Sequence, residues 1–137
     1  MIIKLDHIGI AVNNLEESAK FYTEIFGLKL DNIELVEEQK VKVGFIPVGD
    51  TEIELLEATS EESVVAKFIR NKGQGVHHIA YRVENIEEAI ESFKSKGMRF
   101  INEVPKTGAG SARTAFIHPK DTGGVLVEIC ERVLGES

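Results

Sequence analysis

Four residues of this chain carry side chains suited to one kind of chemistry at spacings that group them: His7 with Glu54, and His78 with Glu128. The histidines stand at an offset of 71 (78 − 7) and the glutamates at an offset of 74 (128 − 54). Neutral imidazole nitrogens with carboxylate oxygens suit a borderline or hard divalent ion: Zn, Co, Ni, Mn or Fe. Two carboxylates neutralise a dication, and four protein ligands leave octahedral positions open for substrate oxygens. A lone histidine on an apolar strand is ordinarily a packing or surface residue, and Glu54 between Ile53 and Leu55 suits the solvent side of an alternating strand. Against that plainer account stands the recurrence of both residue types in register.

The recurrence is part of an internal repeat. The stretch Asp6-His7-Ile8-Gly9-Ile10-Ala11-Val12-Asn13-Asn14-Leu15-Glu16-Glu17 returns as His77-His78-Ile79-Ala80-Tyr81-Arg82-Val83-Glu84-Asn85-Ile86-Glu87-Glu88. Phe45-Ile46 returns as Phe116-Ile117, and Asp50-Thr51 as Asp121-Thr122. An insertion of three residues after Thr122 then sets Glu54 against Glu128 and Glu57 against Glu131.

Each copy reads as β-α-β-β-β. Ile2 to Val12, rich in Ile and Val, predicts a strand with His7 at its middle. Asn14 and Glu17 have the capping-box spacing, and Leu15, Ala19, Tyr22 and Phe26 follow at helical intervals up to Gly27. Strands are expected over Leu28 to Val36, Val41 to Val48 and Thr51 to Glu57, with Gly49-Asp50 as a tight hairpin turn. Thr59 or Ser60 is the candidate cap of a connecting helix from Glu62 to Asn71, with Val64, Val65, Phe68 and Ile69 as its stripe. In the second copy the expected elements are strand Val76 to Val83, helix Ile86 to Lys96 capped by Asn85 and stopped at Gly97, then strands Met98 to Val104, Ala112 to His118 and Val125 to Glu131.

The module boundaries fall at about 1–58 and 74–137, with the connecting helix at about 59–73. One such module cannot cover its own inner face, so two in tandem predict an α+β domain with a cupped eight-stranded mixed sheet and helices outside.

Composition narrows the partners. A chain of 137 residues with 42% apolar content can build one well-cored domain. A net charge of −7 and a pI near 5.1 argue against binding nucleic acid or anionic membranes. Apolar runs stay far short of a membrane span, the N-terminal residues lack a secretory pattern, and Cys130 is the single cysteine. A cytoplasmic protein is expected.

Strand alternation separates the two adjacent histidines. His78 aligns with His7, so His77 points to the other face and is expected to be structural. His118, before Pro119, is expected in a turn, and Cys130 as a small buried apolar residue. Glu16, Glu17, Glu87 and Glu88 occupy first helical turns, where they favour the helix dipole.

These strings resemble the vicinal oxygen chelate superfamily, built from paired β-α-β-β-β modules around a divalent metal. Within it the chain is most similar to the methylmalonyl-CoA epimerase family. The resemblance rests on Leu5 to Val12, Ile53-Glu54-Leu55-Leu56-Glu57, Ser63 to Phe68, Gly75-Val76-His77-His78-Ile79-Ala80, Gly108 to Arg113, and His118-Pro119-Lys120 followed by Thr122 to Glu128. The metal quartet alone is shared with glyoxalase I; the longer strings favour the epimerases.

The resemblance implies a metal-dependent isomerase. It would interconvert the 2R and 2S forms of methylmalonyl-CoA by removing and returning the C2 proton through a metal-stabilised enolate. It implies one divalent ion per chain held by His7, Glu54, His78 and Glu128, with cobalt foremost and Zn, Ni, Mn or Mg as alternatives. Glu54 and Glu128 are then the candidate acid/base pair, one for each side of C2. Ser111, Arg113 and Lys120 are candidates for contact with the acyl-CoA substrate, and a homodimer is implied. The chain departs from some relatives, which carry a separate glutamate on the strand before the hairpin and Gln at the place of Glu54. Here the former place holds Val43. Two rival readings are a glyoxalase I-like lyase acting on a glutathione hemithioacetal and a non-enzymatic small-molecule-binding relative.

Overall fold

Alternating apolar residues and paired capping signals set the observed element order. The computed structural model describes residues 1–102 and 104–132, and among these are eight strands and three α-helices. The strands are β1 (Ile2–Ala11), β2 (Asn32–Val36), β3 (Val41–Val48), β4 (Thr51–Ala58), β5 (Gly75–Val83), β6 (Lys106–Thr107), β7 (Arg113–Ile117) and β8 (Val127–Glu131). The helices are α1 (Leu15–Lys20), α2 (Val64–Lys72) and α3 (Ile86–Ser95). The expected α+β class and β-α-β-β-β order hold in both copies.

The chain divides into two compact units, His7–His77 and Met1–Asp6 with His78–Ser137. In the first, the strand order is β2-β3-β4-β1, with β1 and β4 parallel and the other pairs antiparallel. In the second it is β5-β8-β7-β6, with β5 and β8 parallel and the rest antiparallel. Each is therefore a small mixed sheet with a helix packed on one face, α1 in the first and α3 in the second, and the first also holds α2. Leu15 and Ala19 of α1 pack with Val12, Ile46 and Leu55. Ile86, Ala89 and Ile90 of α3 pack with Val83, Ala115 and Ile129.

Local signals explain the helix ends. Asn14 Oδ1 accepts from Glu17 N–H at 2.8 Å and Asn85 Oδ1 from Glu88 N–H at 2.9 Å, as the capping-box spacing requires. The first helix does not run evenly to Gly27: after Lys20 it widens into a π turn over Phe21–Ile25. There Phe26 N–H reaches back to Phe21 O, and the Phe21 and Phe26 rings pack 4.5 Å apart.

Three expectations are corrected. The cap of the connecting helix is Ser63, not Thr59 or Ser60; its buried hydroxyl accepts from Ala66 N–H at 3.0 Å, so α2 begins at Val64 rather than Glu62. The strand expected from Leu28 begins only at Asn32, because Leu28 N–H is still used to close the preceding turn on Tyr22 O. Among the described residues, the strand expected over Met98 to Val104 reduces to a single bridge, Phe100 to Ile117. Ladder pairing resumes at Lys106–Thr107, after Pro105, which has no N–H to donate. Glu103 of that expected strand, and residues 133–137 of the second module, lie outside the described residues.

Candidate metal centre

Each module builds one His–Glu pair by the same rule. On β4, Ile53 and Leu55 pack toward α1, so alternation sends Glu54 to the face away from the helix. Its register partner on parallel β1 is Gly9, and His7 lies two residues earlier, on Gly9's face. His7 Nδ1 then comes within 3.4 Å of Glu54 Oε2, and both side chains are about 5% exposed or less.

The second unit repeats the construction. Ile129 packs toward α3, which sends Glu128 to the opposite face. Glu128 is in register with Ala80 of β5, and His78 again stands two residues earlier. His78 Nε2 lies 3.2 Å from Glu128 Oε1, and both are buried. The aromatic neighbours are duplicated too: Phe45 is the antiparallel register partner of Glu54, and Phe116 that of Glu128. The Phe116 ring meets the His78 imidazole edge-on at 5.5 Å.

Buried imidazole and carboxylate groups, withdrawn from water, need a partner of complementary chemistry. Besides each other, a divalent cation suits these groups, since it takes both donor types and offsets carboxylate charge. The donor set in each unit therefore fits a metal. The structure brings His7 to Glu54 and His78 to Glu128.

The other sequence candidates fare differently. Ser111 is exposed at a non-glycine positive φ of 61° that ends a short glycine-containing turn. Lys120 is exposed in the turn after β7, where its N–H donates to Nδ1 of His118, so His118 is the turn histidine anticipated. Arg113 is already engaged: its guanidinium forks onto both carboxylate oxygens of Glu87 and lies 3.7 Å from Glu131 Oε1. That contact holds the Glu87 carboxyl below, and the Arg113 guanidinium above, the ordinary range. His77 turns to the other side and packs edge-on against Phe68 at 5.1 Å.

Cys130 is fully buried, and burial, with Asp6 and Glu128 adding negative charge, pushes its thiol far up; it is no nucleophile. Val43 is buried and apolar, so no carboxylate stands at that place on β3.

Sequence reasoning passed over two arrangements. Asp6, with its side chain almost wholly buried, accepts from Arg82 Nε at 2.8 Å and from Arg132 Nη2 at 2.7 Å. No spacing rule links positions 6, 82 and 132. The second is a pair of carboxylates that cap helices from a strand: Glu57 Oε1 accepts from Leu15 N–H at 2.7 Å, and Glu131 Oε1 from Ile86 N–H at 2.8 Å. Here a signal existed, since Glu57 and Glu131 are in register through the repeat.

The sequence and the fold have known relatives. Residues 4–129 match the model of the Glyoxalase/Bleomycin resistance protein/Dioxygenase superfamily. The human mitochondrial methylmalonyl-CoA epimerase is 41% identical over 92% of this chain and 72% of its own. The ethylmalonyl-CoA/methylmalonyl-CoA epimerase of Cereibacter sphaeroides is 39% identical over 94% of this chain and 98% of its own. A solved methylmalonyl-CoA epimerase in complex with methylmalonyl-CoA and NH4+ superposes with a TM-score of 0.94 at 34% identity, covering 100% of this chain and 99% of that one.

Proposed function

Because the chain belongs to the glyoxalase/bleomycin resistance protein/dioxygenase superfamily, and within it to the methylmalonyl-CoA epimerases, a family of isomerases, we propose that it interconverts the 2R and 2S forms of methylmalonyl-CoA. The reaction removes the proton at C2, between the thioester carbonyl and the free carboxylate, and returns one to the opposite face. The observation that carries this reading is similarity to methylmalonyl-CoA epimerases over nearly the whole chain, and the duplicated, buried His–Glu pair supplies the candidate site.

His7, Glu54, His78 and Glu128 together would hold one divalent ion, cobalt foremost in this reading. The ion would supply a Lewis acid for the two substrate oxygens flanking C2, lowering the cost of enolate charge by several kcal/mol. The chain's own part is proton transfer and orientation. Inversion needs an acid/base group on each side of C2, and Glu54 and Glu128, one from each module, are those groups. Since Val43 offers no base, Glu54 takes the work that some relatives divide between two positions. Phe45 and Phe116, the register partners of the two glutamates, put an apolar ring beside each.

The acyl-CoA tail carries phosphates, and the exposed Ser111 and Lys120 suit contact with it. Arg113 can take that part only by giving up Glu87. The reading also takes the enzyme to be a cytoplasmic homodimer; no helix among the described residues is long and apolar enough to cross a membrane.

The test is exchange at C2. Metal-loaded protein is incubated with methylmalonyl-CoA in D2O while the α-proton is followed by NMR, with metal-stripped protein as control. Metal-dependent washout above the spontaneous rate, with interconversion of the two epimers, supports the epimerase. No washout with metal bound overturns it and moves a lyase acting on a glutathione hemithioacetal forward.

A further inference from the structure

The modules share a second duplicated constellation, on the helix side of each sheet. In the first unit, Glu57 Oε1 takes the N–H of Leu15 at 2.7 Å, and Lys42 Nζ lies 3.8 Å from that same oxygen. Lys42 also lies 3.2 Å from both carboxylate oxygens of Glu16, in the first turn of α1. In the second unit, Glu131 Oε1 takes the N–H of Ile86 at 2.8 Å, Arg113 Nη1 lies 3.7 Å away, and Arg113 also grips Glu87, in the first turn of α3. Lys42 and Arg113, and Glu16 and Glu87, are each 71 residues apart, while Glu57 and Glu131 are 74 apart like the site glutamates.

Each set ties three elements at one carboxylate oxygen. The helix contributes the amide of its first residue, a group with no partner inside the helix. The middle strand contributes the cation, and the last strand the carboxylate. Leu15 and Ile86, whose amides are held, are fully buried. Glu57 follows Glu54 by three residues and Glu131 follows Glu128 by three, so each clamp grips the opposite face of the strand about 10 Å from the site glutamate. The cations are partly exposed, and exposed ion pairs add little to global stability. Their duplication therefore points to geometry rather than to stability.

We propose that Lys42 and Arg113 are positioning residues: each locks the last strand of its module to the helix N-terminus and so sets the height of the glutamate that holds the ion. This inference rests on the metal reading above. It gives Arg113 a different part from phosphate contact, and the two parts are separable by experiment.

The test uses the full chain with Co2+ as the probe, comparing wild type with Arg113→Met and Arg113→Lys. Three quantities are read: the Kd for Co2+, the KM for methylmalonyl-CoA at saturating Co2+, and amide exchange at Ile86. Arg113→Met is expected to speed exchange at Ile86 and to raise the Co2+ Kd about threefold, less than the roughly tenfold or more that follows loss of a direct hydrogen bond to a ligand, with KM unchanged. Arg113→Lys, which keeps the cation, is expected to restore both. A raised KM with unchanged Co2+ Kd overturns the proposal and returns Arg113 to the substrate. Unchanged values throughout overturn it as well. A wild-type protein that binds no Co2+ sinks the metal reading itself, a result distinct from failure of the variant alone.

Discussion

His78 Nε2 lies 3.2 Å from Glu128 Oε1 because His78 stands two residues before Ala80, the register partner of Glu128 on the neighbouring parallel strand. His7 stands in the same relation to Glu54 through Gly9. Two residues along a strand is one full side-chain period, so the imidazole and carboxylate share a face by construction.

Under the proposed metal reading, removing one imidazole removes a donor to the ion without changing the strand. His78→Ala is expected to abolish stoichiometric Co2+ binding, read by calorimetric titration, and to lower kcat at least about 100-fold. Full Co2+ occupancy in this variant would disprove the ligand assignment.

Glu54→Gln keeps an oxygen donor at that place but loses the proposed base. Washout of the C2 proton is expected to slow by about 10²–10⁴-fold, the usual worth of a placed acid/base group. Retention of full turnover would show that the second base lies elsewhere.

Gly44 on β3 faces the core so closely that an added Cβ would lie 2.9 Å from Leu15 Cδ2. Gly44→Ala is expected to destabilise by about 1–3 kcal/mol through overpacking, measured by urea unfolding. Leu15→Ala, which empties the same contact, is expected to cost about 2–5 kcal/mol.

The Arg99–Asp121 pair gives a pH signature. Arg99 donates to both carboxylate oxygens of Asp121, at 2.9 Å to Oδ1 and 3.1 Å to Oδ2, and its guanidinium with its backbone N–H lowers the Asp121 carboxyl to about 2. A carboxyl depressed by folding contributes stability that is present above its unfolded pKa and is lost as pH falls through the folded one. Asp121→Asn is therefore expected to lower Tm at neutral pH, with the gap to wild type closing between about pH 4 and pH 2. A gap that persists at pH 2 would assign the effect to the amide's packing instead.

How much of this was legible in the residues varies with the range of the interaction. Both helix caps, Asn14 and Asn85, are local hydrogen bonds spanning three residues, and sequence spacing captures them completely. The cap of α2 was misplaced because Ser60 and Ser63 both offer a hydroxyl. Ser63 takes the cap because it is buried at the helix start, while Ser60 turns its hydroxyl to Glu62 N–H.

The repeat alone determined that His7, Glu54, His78 and Glu128 form matched pairs, since a duplicated module must place equivalent residues equivalently. Side-chain alternation alone chose His78 over His77. What only the tertiary structure decided are the contacts between elements distant in sequence. It closed Arg113 onto Glu87 and Glu131, buried Asp6 between Arg82 and Arg132, and turned Glu57 and Glu131 into caps for helices more than 40 residues away. Such pairings depend on the three-dimensional path of the backbone, and one-dimensional spacing carries no rule for them beyond what duplication supplies.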